Sequence, residues 1–212
     1  MKKVLAEREG PVLTVTLNRP DKLNALDLEC LDLLEEHFTA ADGDPECRAV
    51  VLAGNGRGFC AGADLGVVGA SARLGDQHAN FGLFPGGGST QRLPRLIGRR
   101  AATWMLLSGE PVDAPTALGL GLANRVAPDE EVLQTAGDMA LHLAERSPAA
   151  SRAIKQALRH GIHLPLRDAL DVERSIAVEH MASADAARGL AAFASRTQPD
   201  FGYRRPVDAA RQ

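Results

Sequence analysis

Arg57-Gly58-Phe59-Cys60-Ala61-Gly62-Ala63-Asp64-Leu65 follows the apolar run Ala49-Val50-Val51-Leu52-Ala53, which reads as a buried strand. Small residues after a strand leave backbone N–H groups uncovered. Gly, Ala, Gly, Ala can turn sharply and bring main-chain donors against a ligand carbonyl, as a preorganised oxyanion site requires. The same loop is expected to open a helix, whose N-terminal dipole would add to the field.

Outward from this loop, Pro11-Val12-Leu13-Thr14-Val15-Thr16-Leu17 alternates with the period of a half-buried strand before Asn18-Arg19-Pro20-Asp21 turns the chain. Leu26, Cys30, Leu33, Leu34, His37, Phe38 and Ala41 then recur at helical spacing, with Asn24 or Asp27 as the cap. Strand, helix and strand in that order predict a layered α/β core with parallel pairing. From Arg99 onward the chain is alanine-rich. The stretches 129–145, 148–160, 166–182 and 184–195 read as successive amphipathic helices, with Ser183 capping the last. A short strand is expected at 123–127.

The chain has 212 residues, enough for one domain with a sizeable core. Its 24 basic against 27 acidic side chains leave a net charge of -3, which argues against a nucleic-acid partner gripped through phosphate neutralisation. Arg92, Arg95, Arg99 and Arg100 read as a solvated helix face. The three cysteines, Cys30, Cys47 and Cys60, lack metal or disulfide spacing, so a reducing cytoplasm is expected. Charges near Met1 interrupt any signal sequence, and no apolar run approaches membrane-spanning length.

Several motifs fail on single residues. Gly82 to Ser89 has the outline of a P-loop, but Gly88 stands where the lysine belongs. Gly54-Asn55-Gly56-Arg57-Gly58 has Phe59 at the third glycine of a dinucleotide fingerprint. His160 and His163 straddle Gly161 without an acidic or thiol partner, so no metal site is expected. His78 is a base candidate, with a loop histidine at a subunit contact as the plainer reading.

Taken with Leu17-Asn18-Arg19-Pro20 and Asn24-Ala25-Leu26, the 61–65 loop resembles the crotonase, or enoyl-CoA hydratase/isomerase, family. So do Pro85-Gly86-Gly87-Gly88-Ser89-Thr90-Gln91-Arg92-Leu93-Pro94, Leu107-Ser108-Gly109-Glu110, Gly121-Leu122-Ala123-Asn124-Arg125-Val126 and Gly189-Leu190-Ala191-Ala192-Phe193, in the family's order. The resemblance implies a crotonase-like ββα spiral core over 1–128 and a C-terminal helical trimerisation region over 129–212. It also implies a coenzyme A thioester as substrate with no further cofactor, and a homotrimer or dimer of trimers. Ala63 N–H is the expected first oxyanion donor and Gly66 the candidate second. Ala61, Gly62, Asp64 and Leu65 are expected to hold the coenzyme and the thioester. Arg19 and Lys22, beside Ala25, are expected at its phosphates. The Asp64 carboxylate itself is read as a helix cap.

Between Leu65 and Pro85 the resemblance breaks. The family carries there a helix, a buried strand ending in a Gly-Gly-Gly turn, and a glutamate; a second glutamate follows before the Pro-Gly-Gly turn. Several tens of residues are missing here, and no glutamate occurs between Glu46 and Glu110; the only acids in that span are Asp64 and Asp76. Removing a central strand exposes backbone and core, so a chain carrying the segment is favoured over a natural deletion. The leading expectation is hydration of a 2-trans-enoyl-CoA to the 3-hydroxyacyl-CoA, with isomerase or another enolate chemistry, or an inactive acyl-CoA binder, as alternatives. With both glutamates absent, hydration is expected to be very slow.

Overall fold

The computed structural model describes residues 2–22, 24–56 and 66–204. In chain order its elements are β1 (Val4–Glu9), β2 (Val12–Leu17), α1 (Leu28–Gly43), β3 (Ala49–Gly54), β4 (Val67–Gly69), β5 (Arg73–Leu74), α2 (Ser89–Ile97) and α3 (Arg99–Ser108). There follow β6 (Val112–Asp113), α4 (Ala114–Leu120), β7 (Arg125–Ala127), α5 (Val132–Ala144), α6 (Pro148–Gly161), α7 (Leu166–Met181) and α8 (Ala184–Ser195). Two compact units result: Met1–Asn18 with Leu26–Val51 and Met139–Gln212, and Arg19–Ala25 with Leu52–Asp138. The C-terminal helices group with the N-terminal strands.

In the first unit β1 and β2 pair antiparallel, Val4 opposite Leu17 and Glu9 opposite Val12. Gly10 supplies the left-handed turn residue between them, at φ 55°. β3 is the third strand, next to β2. Val4, Val12, Val15 and Leu17 are buried, and Cys30, Leu34 and Val51 close the core above them. Glu7, Arg8 and Glu9 interrupt the apolar pattern of β1. Only Val4 of that strand is buried, so the strand survives with an exposed, charged outer edge. Asp27, not Asn24, caps α1 by accepting the Cys30 N–H at 3.0 Å. Ser147 caps α6 through the Ala150 N–H at 2.9 Å, and Ser183 caps α8 as expected. α6 and α7 pack on one another, and the Arg48 guanidinium ties this unit together through the carbonyls of Ala144 and Phe201.

The second unit holds two small ladders, β4 parallel to β7 and β5 antiparallel to β6. No helix follows Leu65; β4 starts at Val67. Two β-branched valines favour a strand, and β7 offers them a partner through the 125–127 pairing. The expected helix over 129–145 begins at Val132, behind a 3-10 turn at Asp129–Glu131. Among the described residues of this unit the buried apolar side chains are Ala102, Met105, Ala114, Ala117, Ala123 and Ala127, whereas Phe81, Leu83, Phe84, Leu96, Trp104 and Leu107 stand exposed.

Candidate active site

The residues Ala61, Gly62, Ala63, Asp64 and Leu65 lie outside the described residues, as do Cys60 and the remainder of 57–65. What the structure defines is how the two ends of that loop are held, and both ends are held by asparagine.

At the entry, Pro20–Lys22 forms a 3-10 turn, and Asn24 follows in the left-handed region at φ 56°. Asparagine tolerates that conformation better than most residues because its short amide can bond locally. Its Oδ1 accepts the Arg19 N–H at 2.8 Å and its Nδ2 donates to the Asn55 carbonyl at 2.9 Å. The side chain is only 1 % exposed. A single buried amide therefore ties the 19–25 turn to the end of β3. Pro20 closes the same junction: a Cβ on Gly56, which has φ 88°, would lie 2.7 Å from the Pro20 Cβ, so only glycine fits.

At the exit, Gly66 N–H donates to Asn124 Oδ1 at 2.8 Å, and Gly66 O accepts the Asn124 N–H at 2.8 Å. This two-way bond precedes the β4 and β7 pairing and sets its register. The candidate second oxyanion donor is thus already engaged, and presenting it to a thioester oxygen would require that bond to open. Both asparagines stand within the motifs quoted from the sequence, where neither long-range bond has a local sign. The signal available was Asn at a turn after a proline and Asn preceding a strand.

Arg19, Lys22 and Ala25 are brought together on the entry turn. Ala25 N–H donates to the Lys22 carbonyl at 3.0 Å, and the Arg19 guanidinium donates to the Ala25 carbonyl. Lys22 and Ala25 are exposed. A cation beside the start of an open loop can meet a phosphate, and one N–H of Arg19 is already committed to the turn. The basic residues Arg92, Arg95, Arg99 and Arg100 are exposed, consistent with a solvated face.

A second polar cluster follows the exit. Asp76 follows β5 and His78 opens a 3-10 turn at His78–Phe81, with Nδ1 of His78 2.7 Å from Asp76 Oδ1. Burial opposes ionisation of Asp76, but hydrogen bonds from the Ser89 side chain and from the backbone and ring of His78, together with the His78 charge, outweigh it and hold the carboxyl below its ordinary value. Ser89, the last residue of the failed P-loop, is thereby occupied with a carboxylate. Asp129 plays a structural part, accepting the Ser71 N–H at 3.0 Å and its hydroxyl. Among the described residues no group of histidine, cysteine or carboxylate side chains is arranged for a metal ion, and no helix is long and apolar enough to cross a membrane.

Two models of the enoyl-CoA hydratase/isomerase family match, over residues 63–204 and 12–81. The 2,3-dehydroadipyl-CoA hydratase of Escherichia coli K12 is 31% identical over 252 positions, covering 95% of this chain and 99% of that protein. The 1,2-epoxyphenylacetyl-CoA isomerase of the same organism is 30% identical, covering 95% and 98%. Among solved structures, the enoyl-CoA hydratase of Mycobacterium smegmatis superposes with a TM-score of 0.89 at 27% identity, covering 96% of this chain and 100% of that one. The first alignment runs over 252 positions where this chain has 212 residues, so at least 40 positions of that relative have no counterpart here.

Proposed function

Because the chain belongs to the enoyl-CoA hydratase/isomerase family, we propose that it binds an acyl-CoA thioester and hydrates a 2-trans-enoyl-CoA to the 3-hydroxyacyl-CoA. When water adds at C3, charge moves to the thioester oxygen. A backbone N–H aimed at that oxygen stabilises the enolate, and loss of one such donor typically costs about 10²–10³ in rate. Ala63 N–H is that donor in this reading. Ala61, Gly62, Asp64 and Leu65 wrap the thioester and coenzyme, while Arg19 and Lys22, held beside Ala25 on the entry turn, face the coenzyme's phosphates. The observation carrying the reading is the fixation of both ends of the small-residue loop, by Asn24 at Asn55 and by Asn124 at Gly66, since preorganisation is what makes such donors effective.

Two absences favour a second reading. No glutamate lies between Glu46 and Glu110, and the chain lacks at least 40 positions of its relative, so a protein that binds acyl-CoA without turning it over is the alternative. Calorimetric titration with a saturated acyl-CoA tests the shared part. Micromolar affinity supports thioester binding, and no heat at millimolar ligand refutes it. A homotrimer or dimer of trimers is proposed with this reading, supported by exposed Leu166, Val178, Leu190 and Phe193 on the C-terminal helices.

A further inference from the structure

We propose that a second copy of this chain docks on it through two helices of opposite charge, the basic outer face of α6 in one copy seating on the acidic outer face of α1 in the next. The inference deepens the self-assembly proposed above by naming the surfaces that meet. They are not the α7 and α8 residues on which that assembly rests.

Charge is segregated along the sequence. No lysine or arginine lies between Lys22 and Arg48, a span that contains α1, and no aspartate or glutamate lies between Glu145 and Asp168, a span that contains α6. The whole chain is nearly balanced, at a net charge of -3, so neither helix follows the composition. Asp32, Glu35 and Glu36 are exposed on α1, as are Arg152, Lys155 and Arg159 on α6. Among the described residues none of these side chains takes part in an ion pair. The neighbouring helices differ. α7 pairs Arg174 with Asp171 at 2.9 Å and α8 pairs Arg188 with Asp185 at 3.0 Å, each within one turn, as solvated faces of mixed sign do.

Beside each row of charge runs an apolar row that the fold leaves uncovered. Leu28, Leu31 and Phe38 share one side of α1 with Glu35, at three- and four-residue steps, and are exposed, Leu28 to 79%. Ile154 and Leu158 on α6, and Ile162 just past its end, follow at four-residue steps and are also exposed, Ile162 to 70%. Other faces serve the interior of the chain. α1 buries Cys30 and Leu34, and α6 buries Gly161 against α7, where an added Cβ would lie 3.7 Å from the Ala169 Cβ.

An apolar ridge rimmed by charge is the anatomy of a docking face, and here the complementary face is carried by the same chain. Charge decides the occupant. Two α6 faces repel, as do two α1 faces, whereas α6 against α1 brings cations to carboxylates and covers both apolar ridges. Contact between two different faces is heterologous, so copies add head to tail until a ring closes.

Zero-length carbodiimide cross-linking of the full chain tests the contact directly, because Lys155 is the one lysine after Lys22. At low salt a covalent dimer is expected, with the Lys155 peptide joined to the α1 peptide; mixing heavy-nitrogen-labelled and unlabelled protein shows that the two peptides come from different copies. Lys155→Arg should remove that link and leave sedimentation unchanged. Screening shortens to about 3 Å at 1 M salt, so self-association should weaken there by at least about tenfold. The combined variant Arg152→Glu, Lys155→Glu and Arg159→Glu, with its fold checked by circular dichroism, should weaken it as much. Mixing that variant with the combined variant Asp32→Lys, Glu35→Lys and Glu36→Lys should restore an association that neither shows alone. Links from Lys155 only to other elements, or an assembly indifferent to salt and to charge reversal, overturn the α1 and α6 contact and leave an assembly through α7 and α8 standing. A strict monomer removes both. A monomer that instead sediments with anionic lipid vesicles gives the basic face to a membrane and also overturns the contact.

Discussion

Replacing Asn24 with alanine should disconnect the loop entry from β3. Two hydrogen bonds are lost, from the Arg19 N–H and to the Asn55 carbonyl, each worth about 1 kcal/mol net in a buried setting. Alanine must also occupy φ 56°, where a Cβ-bearing residue without a local side-chain bond pays roughly another 1 kcal/mol. The expected cost is about 3 kcal/mol, a large share of the 5–15 kcal/mol typical of a folded domain. Since each 1.4 kcal/mol is a factor of ten, coupling of the whole cost to loop geometry would lower kcat/KM by at most about 140-fold. Urea unfolding reads the first quantity, and enoyl-thioester kinetics under conditions where the variant remains folded read the second. A stability change below about 0.5 kcal/mol would refute the energetic reasoning. A full loss of stability with unchanged thioester KM and kcat would show that the clamp does not organise the loop.

Ala63→Pro removes the proposed oxyanion donor, so turnover should fall by about 10²–10³; unchanged affinity and turnover would dismiss Ala63. Asp185 accepts from Ser147 Oγ at 2.6 Å, and this bond, against the opposing effect of burial and with help from the Ala149 N–H, Arg188 and His180, lowers its pKa. A lowered folded-state pKa gives stability that is present above the ordinary carboxylate value and lost as pH falls through the folded value. Asp185→Asn should therefore flatten the acid limb of the stability curve below about pH 4, and a parallel acid limb in thermal melts would contradict this. Ser147→Ala should cost about 1–2 kcal/mol by uncapping α6, measured in urea. Native mass spectrometry should find a trimer or hexamer, and a monomer at micromolar concentration would remove the assembly.

The legible parts of this fold are those in which local chemistry and burial agree. Alternation over 11–17, the apolar stripe of α1 and the serine before α8 identify their elements because caps and periodicity act within a turn or two. β1 was not legible, since its outward residues are charged and its pairing with β2 is set by distant partners. β6 is two residues long, too short for any periodicity. Within the candidate site, the small-residue loop was visible as composition. Its fixation was not, because Asn24 and Asn124 act through bonds to Asn55 and Gly66, across 31 and 58 residues. The Asp76 and His78 contact spans two residues, yet spacing alone does not show that Asp76 is shielded and held by Ser89.

The most direct test of the account is hydration of crotonyl-CoA by protein whose intact mass has been verified as 22.4 kDa. The predicted result is slow thioester hydration that falls by about a further 10²–10³ in Ala63→Pro. Thioester binding without any hydration at that mass would contradict the account and leave an acyl-CoA binder in its place.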